Sequence, residues 1–375
     1  MSSHSPDPAE DGSFMGLALA LGRRGLGQTW PNPAVGAVLV QSTDRGPLIV
    51  GRGWTQPGGR PHAETQALRH AGAAARGATL YVTLEPCSHH GKTPPCTDAI
   101  VAAGVARVVS ALEDPNPEVR GEGHARLRAH GIAVDVGIGA EAARRAHAGH
   151  IRRVVDGRPH VTLKLAISAD GKVGLAGRKP VKITGALATA RVQLMRAMHD
   201  AILIGIGTAL ADDPLLTCRL PGMAQRSPVR VVLDSGLRLP LDGQLVHSAP
   251  MTPLWVFTTS AAPPAAEQAL RAHGVEVIRL AGSAGGLDLS AVLRQIAARG
   301  ITRLMVEGGA KIAAAFVAAD LVDEAALFRS PNAIGSDGVD ALEELPLVAL
   351  TNSPRLTMRC GEVLGADRLE LLERA

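Results

Sequence analysis

A histidine, a glutamate and two cysteines fall within one short stretch of the chain, at His62, Glu64, Cys87 and Cys96. One imidazole and two thiolates can hold Zn²⁺ in three of its four positions and leave the fourth open to water. An open position is typical of a catalytic zinc, because the metal makes a water molecule nucleophilic at neutral pH. Glu64 follows the histidine by two residues and is placed to accept and return that water's protons. These residue types predict a hydrolytic zinc site.

The spacing of the two cysteines leaves a second interpretation open. Zinc nucleobase deaminases carry His-x-Glu followed by Pro-Cys-x-x-Cys, with the glutamate as general acid and base rather than ligand. Here residues 88–95 separate Cys87 from Cys96. A structural zinc needs a fourth protein ligand, which His89 or His90 could supply. A structural site has no use for Glu64, so we favour the catalytic interpretation.

Alternating strands and helices must position these residues. Helical spacing of apolar residues begins at Phe14, and two apolar runs around a turn at 42–46 predict a hairpin. Helices over 63–74 and near 97–103 begin beside the candidate ligands, so two helix N-termini are expected to converge there and to lower the pKa of a thiol. The predicted strands span 34–40, 48–54, 79–84, 107–111 and 133–136. This alternation predicts an α/β/α domain, a sheet covered by helices on both faces.

The second half of the chain forms a separate α/β domain in this interpretation. An Ala/Arg-rich helical stretch over 141–155 is the connector, and the turn at 156–159 marks the boundary. We predict strands over 161–167, 201–204, 229–233, 254–258, 275–280 and 303–306, and helices over 184–199, 264–273, 289–299 and 310–319. Thr184 is expected to cap its helix. The expected domains are therefore a disordered leader at 1–13, a zinc domain at 14–157 and a second domain at 158–375.

The composition narrows the partners and the compartment. A chain of 375 residues with 46% hydrophobic residues supports two or more cores. Three Trp, one Tyr and four Phe are too few for the aromatic platforms of single-strand nucleic-acid binders. The net charge of +4 fits a small anionic substrate at least as well as a nucleic acid, so the scarcity of aromatic residues is the argument against nucleic-acid binding. Four cysteines, two of them in the candidate zinc site, favour a reducing cytoplasm, and we expect no membrane partner because no apolar run is long enough to span a bilayer.

The motifs around the candidate zinc ligands resemble the bifunctional deaminase/reductase family of riboflavin biosynthesis. The resemblance rests on residues 31–36, 61–64, 84–96 and 114–117, and the eight-residue cysteine spacing is that family's own pattern. It implies a cytidine-deaminase-like domain that hydrolytically deaminates 2,5-diamino-6-ribosylamino-4(3H)-pyrimidinone 5′-phosphate. It also implies substrate contacts at Asn32, Lys92 and Asn116. A turn-forming role for the two asparagines, each between prolines, and a solvated Lys92 are the alternatives.

Residues 164–171, 205–219 and 306–309 resemble the dihydrofolate-reductase-like domain of the same family. That resemblance implies NADPH as the second cofactor and reduction of 5-amino-6-(5-phosphoribosylamino)uracil to its ribityl product. The implied cofactor-binding residues are Ala166, Lys182, Thr208, Asp212, Ser235, Gly309, Ala310, Lys311 and Ile312. The implied substrate-binding residues are Pro180, Arg196, Leu216, Arg219 and Glu307. Arginine forks suit a ribose phosphate, whereas an ordinary exposed helix arginine is the alternative for Arg196.

The segment around Pro180 and Lys182 departs from the family pattern. Many relatives carry a serine and an aromatic residue there. Two interpretations of Lys182 are therefore open: it contacts the 2′-phosphate of NADPH, or it weakens the stacking of the cofactor. The alternatives to a bifunctional enzyme are a monofunctional deaminase with a non-reducing second domain and an RNA-binding zinc module. We further expect a homo-oligomer acting on a small phosphorylated pyrimidine.

Overall fold

The computed structural model describes residues 8–91, 93–117, 119–175, 181–283 and 286–374. The chain divides into two compact units, Met1–Gly157 and Arg158–Ala375. Among the described residues, no helix is both long enough and apolar enough to span a membrane.

The N-terminal unit is built around a mixed five-stranded sheet. Its strands are β1 (Gly36–Thr43), β2 (Gly46–Trp54), β3 (Thr79–Val82), β4 (Arg107–Ser110) and β5 (Ala133–Val136), and its helices are α1 (Pro8–Gly22), α2 (Ala63–Ala71), α3 (Cys96–Ala103), α4 (Glu122–Ala129), α5 (Ala140–Ala146) and α6 (Ala148–Asp156). The strand order is β2-β1-β3-β4-β5. The β1/β2 and β1/β3 pairs are antiparallel, and the β3/β4 and β4/β5 pairs are parallel.

Both faces of this sheet are buried. On β1, Ala37 and Leu39 join a core with α2, whereas Val38 and Val40 join a second core with Met15 of α1. Successive side chains of a strand point to opposite faces, so this division places helices on both sides of the sheet. The predicted α/β/α arrangement of this unit is confirmed.

The expectation of a disordered leader over 1–13 is wrong for its second half, because α1 begins at Pro8. Proline suits the first turn of a helix, and Glu10 and Asp11 place negative charge at the positive end of the helix dipole. Asp11 is buried and accepts hydrogen bonds from Tyr81 (2.6 Å) and from Arg107 (2.9 and 2.7 Å). These tertiary partners stabilise a turn whose sequence is otherwise polar. Residues 1–7 lie outside the described part of the chain.

The C-terminal unit contains a nine-stranded sheet with helices α7 (Ala186–Ala197), α8 (Ile206–Asp212), α9 (Gln244–His247), α10 (Pro264–Ala272), α11 (Leu289–Ala298), α12 (Ala310–Ala318) and α13 (Val348–Thr351). The strands of the unit are β6 (His160–Ile167), β7 (Lys172–Leu175), β8 (Ala201–Gly205), β9 (Val229–Leu233), β10 (Leu254–Thr259), β11 (Glu276–Leu280), β12 (Gly282–Ser283), β13 (Gly286–Leu287), β14 (Arg303–Val306), β15 (Glu324–Arg329), β16 (Gly338–Asp340), β17 (Leu356–Leu364) and β18 (Asp367–Arg374). The large sheet has the order β11-β10-β9-β8-β14-β6-β15-β18-β17. Its strands are parallel from β11 to β15, and β18 and β17 run antiparallel to their neighbours.

The structure corrects the start of the long helix and adds strands at the end of the chain. Thr184 is not the cap of α7, because the helix begins after Gly185, whose N–H donates to the Asp367 carboxylate at 2.7 Å. The N–H of the cap residue is therefore bonded to an acceptor that lies 182 residues away in the sequence. The strands β15, β17 and β18 were not predicted: β15 continues the parallel sheet, and β18 and β17 add an antiparallel edge.

Candidate active sites

Three metal-ligand side chains converge in the N-terminal unit. His62 is the N-cap of α2, Cys96 is the first residue of α3, and Cys87 lies in the loop between β3 and α3. His62 Nδ1 lies 3.3 Å from Cys96 Sγ and 3.6 Å from Cys87 Sγ. The three ligand atoms all lie within 4.8 Å of one another. This spacing suits ligands that surround one Zn²⁺ at bond lengths of about 2.0–2.3 Å.

Backbone groups at the start of α3 face Cys87. The Cys96 N–H donates to Cys87 Sγ at 3.3 Å, and the Thr97 N–H donates to the Cys87 carbonyl at 3.2 Å. A helix N-terminus carries partial positive charge and favours the thiolate form of a cysteine. Hydrogen bonds from the Cys96 thiol and from His62 also lower the pKa of Cys87, to about 4.

The pKa values of the other two groups shift in the opposite direction. The hydrogen bond with Cys87 raises the pKa of His62 above its usual range. Cys96 donates to Cys87, and this bond together with burial raises the pKa of Cys96 well above that of a free thiol. The three ligand atoms therefore surround a small space, and a divalent metal ion bound there would displace their protons.

Glu64 lies in the first turn of α2, two residues after His62, and is buried with 4% of its surface exposed. Burial raises the pKa of Glu64 to about 7, and the negative charge of Cys87 acts in the same direction. The carboxyl group is thus next to the three ligand side chains without being one of them.

Asn32, expected to contact substrate, lies beside His62. Its Nδ2 donates to the Gly59 carbonyl at 2.9 Å and is 3.3 Å from His62 Nε2, the nitrogen that faces away from the cysteines. The side chain therefore contacts the imidazole on the side away from the cysteines. Its contact with substrate stays a prediction.

The loop that carries Asn116 is tied to the segment before Cys87 by a residue that the sequence analysis did not single out. Glu85 is buried, and its carboxylate accepts four backbone N–H bonds, from Asp114 (3.0 Å), Gly121 (3.0 Å), Gly123 (2.8 Å) and His124 (3.3 Å). The sequence signal that could have identified Glu85 is its position directly before Pro86-Cys87. The role of Asn116 stays a prediction, and Lys92 lies outside the described residues.

In the C-terminal unit, two of the expected substrate residues form a buried ion pair. Arg196 of α7 reaches Glu307, at the end of β14, with 2.5 Å between Nη2 and Oε2. Lys164 of β6 lies 3.5 Å from the other carboxylate oxygen, so the sequence analysis missed a third member of this cluster. Only 11% of the Arg196 side chain is exposed, so the alternative of an ordinary surface arginine is wrong. Lys164 and Arg196 outweigh the effect of burial and lower the pKa of Glu307.

The loop after α8 carries Leu216 and Arg219. Leu216 is buried, whereas Arg219 is exposed and its guanidinium has no hydrogen-bond or ion-pair partner among the described residues. Asp212, at the end of α8, is exposed, and partial burial of its carboxyl raises its pKa. An unpaired arginine at the end of such a loop is available to an anionic ligand.

The expected cofactor residues Thr208 and Gly309 meet at the ends of neighbouring strands. The Gly309 N–H donates to Thr208 Oγ1 at 2.9 Å. A Cβ added at Gly205 or at Gly308 would lie 2.7 or 2.9 Å from the Ile312 side chain. These two glycines therefore allow α12 to pack closely on the sheet, while Gly309 remains exposed at the start of that helix.

The structure does not draw the remaining expected cofactor residues into one contact network. Ala166 is half-buried on β6, Ser235 is exposed after β9, and Lys182 is exposed. Ala310 is buried and Lys311 exposed in the first turn of α12. Pro180 lies outside the described residues. The roles of these residues stay predictions.

A cavity of about 700 Å³ opens beside the Asp170 turn, lined by Arg329 and by residues between Asp340 and Leu347. Hydrogen bonds from Ser168 and from the N–H groups of Ile334 and Gly335 hold the pKa of Asp170 well below its usual range. None of the described residues expected to bind cofactor or substrate lines this cavity.

Comparison with known proteins agrees with this division of the chain. Residues 8–112 match the family of the cytidine and deoxycytidylate deaminase zinc-binding region, and residues 159–367 match the RibD C-terminal domain. The riboflavin biosynthesis protein RibD of Escherichia coli K12 is 38% identical over 369 residues, which cover 96% of this chain and 98% of that protein.

Two solved structures are similar over almost their whole length. RibD of Acinetobacter baumannii superimposes with a TM-score of 0.87 at 34% identity and covers 98% of this chain and 100% of its own. The diaminohydroxyphosphoribosylaminopyrimidine deaminase/5-amino-6-(5-phosphoribosylamino)uracil reductase of Thermotoga maritima gives a TM-score of 0.83 at 36% identity, with coverage of 98% and 99%.

These matches confirm the expected fold class and the expected pair of activities, with Zn²⁺ and NADPH as cofactors. They favour the bifunctional interpretation over a monofunctional deaminase or an RNA-binding module. The chain belongs to the RibD family of riboflavin biosynthesis proteins and joins a zinc-binding deaminase domain to a reductase domain.

Proposed function

We propose that this protein carries out two consecutive steps of riboflavin biosynthesis. The N-terminal unit deaminates 2,5-diamino-6-ribosylamino-4(3H)-pyrimidinone 5′-phosphate, and the C-terminal unit reduces the resulting 5-amino-6-(5-phosphoribosylamino)uracil to the ribityl compound. The observation that carries the proposal is the convergence of His62 Nδ1 with the sulfurs of Cys87 and Cys96, with Glu64 buried beside them.

In this proposal His62, Cys87 and Cys96 hold the zinc. Two thiolates and a neutral imidazole balance the charge of Zn²⁺, and no other group of three metal-ligand side chains comes together in the described ranges. When bound, zinc supplies Lewis acidity that makes water nucleophilic at neutral pH. Asn32 lies beside the far nitrogen of His62, 3.3 Å from Nε2, and limits rotation of the ring by contact.

Glu64 is the proposed general acid and base of the deamination. It accepts a proton from the attacking water and returns protons to the ring nitrogen and to the departing ammonia. Its place in the first turn of α2, two residues after His62, puts the carboxyl beside the ligands without making it a ligand.

In the C-terminal unit we propose that Arg219 binds the substrate phosphate and that Arg196 and Glu307 bind the remaining polar groups of the substrate. NADPH supplies the hydride for reduction at C1′ of the sugar. Thr208 and the start of α12 lie just beyond the ends of the parallel strands β8 and β14, where doubly wound α/β domains bind their ligands, and Asp212 ends the helix that carries Thr208. The helix N-terminus at Gly309 suits a cofactor phosphate.

We propose also that the protein acts in the cytoplasm as a homo-oligomer. The edge strand β17 supports self-association, because residues 357–363 are exposed and the outer side of the strand is unpaired in the described sheet. Light scattering checks this. An oligomer is expected for the unaltered chain, and Val363→Lys, at a side chain that is 77% exposed, should weaken it. A monomer at micromolar concentration would contradict the proposal.

The substitution Glu64→Gln tests the deaminase. The amide keeps the size of the side chain but cannot accept a proton, so ammonia release should fall by about 10²–10⁴-fold. Zinc content, measured by elemental analysis, and reduction of pre-deaminated substrate should stay at the level of the unaltered protein. Near-normal ammonia release from Glu64→Gln would refute the assigned role. Full zinc retention in the Cys87→Ala/Cys96→Ala double variant would refute the ligand assignment.

A further inference from the structure

Three consecutive residues of the loop that ends at Arg219 are each held by a different side chain. Arg196 Nη1 donates to the Thr217 carbonyl at 3.1 Å. The Cys218 N–H donates to Ser227 Oγ at 3.1 Å. The Arg219 N–H donates to Gln193 Oε1 at 2.8 Å. The backbone path into Arg219 is therefore set by two side chains of α7 and by Ser227, which lies later in the same connection between α8 and β9.

The same loop contains strained backbone. Leu216 has φ of 57°, in the left-handed region that a bulky residue such as leucine rarely adopts. Asp213, at the end of α8, lies in the same region with φ of 38°, which aspartate adopts more readily. A leucine in this conformation is strained, and such strain persists only where the surrounding structure holds it. The loop consequently depends on its anchors for its shape.

Gln193 is the anchor closest to the free guanidinium. It lies on α7, three residues before Arg196, and only 6% of its surface is exposed. In the described structure its side chain accepts a hydrogen bond from the Arg219 N–H and makes none to the Arg196–Glu307 ion pair. Its effect on the loop can therefore be separated from that of the charged cluster.

We propose that Gln193 is a positioning residue of the reductase: its Oε1 fixes the backbone of Arg219 and so directs the guanidinium to the substrate phosphate. The inference rests on the proposed function, because it takes Arg219 as the phosphate-binding residue. An arginine side chain loses rotamer freedom when it binds, and a backbone that is already fixed lowers that cost.

The test compares Gln193→Leu with Gln193→Glu. Leucine removes the acceptor, whereas glutamate keeps an oxygen in the same place. Gln295→Leu is the matched control, since Gln295 lies on α11 and bonds to Arg299 within the same unit. NADPH oxidation is followed with the aminouracil substrate in its 5′-phosphorylated and dephosphorylated forms.

For Gln193→Leu we expect the KM for the phosphorylated substrate to rise about tenfold, the effect of one lost hydrogen bond, with kcat within about twofold. The dephosphorylated substrate should be unaffected, Gln193→Glu should restore the KM, and Gln295→Leu should change neither. In an Arg219→Ala background, Gln193→Leu should have no further effect. Equal losses on both substrates, additive losses in the double variant, or no rescue by glutamate would overturn the proposal.

Hydrogen exchange of the Arg219 amide separates this inference from the proposed function. If the unaltered protein fails to oxidise NADPH with the aminouracil substrate, the proposed function fails, yet loss of amide protection in Gln193→Leu would still support the anchor. An amide that stays protected without Gln193 would overturn the anchor, whatever the enzyme reduces.

Discussion

Replacing Glu85 by glutamine should loosen the loop at 113–124 and disable the deaminase while sparing the reductase. The carboxylate of Glu85 is fully buried and accepts four backbone N–H bonds, two at each oxygen. The amide nitrogen of glutamine can only donate, so two of the four N–H groups lose their acceptor in either orientation of the amide.

The magnitude follows from the burial of these groups. An unsatisfied buried donor costs about 1–3 kcal/mol, so two of them should lower the free energy of unfolding of the N-terminal unit by about 2–6 kcal/mol. Domains are typically stable by about 5–15 kcal/mol, so the loss is large without abolishing the fold. Relaxation of the loop toward water should bring the measured loss to the lower half of that range.

Hydrogen exchange and ammonia release measure the two consequences. In Glu85→Gln, the amides of Asp114, Gly121 and Gly123 should exchange faster, and deamination should fall, since the same loop carries Asn116. Reduction of pre-deaminated substrate should be unchanged. Glu122→Gln is the matched control, because Glu122 is an exposed carboxylate in the first turn of α4. Unaltered amide protection in Glu85→Gln would refute the reasoning.

Three further outcomes are expected. The hydrogen bond from Arg107 lowers the pKa of Asp11 and so stabilises the folded protein. This contribution to the free energy of unfolding is fully present above the pKa of an unfolded aspartate, about 4, and is lost as the pH falls from there through the pKa of the folded state. Asp11→Asn should remove this part of the pH dependence of urea unfolding. Lys182→Ala should weaken NADPH binding and leave NADH binding nearly unchanged; equal small effects on both would place Lys182 in solvent. Asp323→Asn should destabilise the C-terminal unit by about 3–5 kcal/mol, because buried Asp323 accepts two hydrogen bonds from Arg158 (2.5 and 2.8 Å) and one from the Val161 N–H (2.9 Å). Deaminase activity should persist. An unchanged unfolding midpoint for this unit would contradict the prediction.

Elements with strong local patterns were predictable from the sequence. Strand β14 and the helices α10, α11 and α12 lie within one or two residues of their predicted ranges, because apolar periodicity and turn residues mark them locally. The strands β17 and β18 were missed. Residues 357–363 of β17 are exposed, so no buried face imposes an alternating pattern on the sequence.

The sequence by itself determined the chemistry available to this protein: a histidine and two cysteines at the family's spacing, a glutamate two residues after the histidine, and arginines suited to a phosphate. Tertiary structure decided which groups hold those residues in place. Glu85 accepts hydrogen bonds from four N–H groups beyond residue 113, and Gln193 accepts one from the Arg219 amide. At the start of α7, Asp367 accepts a hydrogen bond from the Gly185 N–H. Each of these contacts joins residues that are 26 or more positions apart. The local sequence pattern does not predict such pairs, because the partners are brought together only by the packing of the folded sheets.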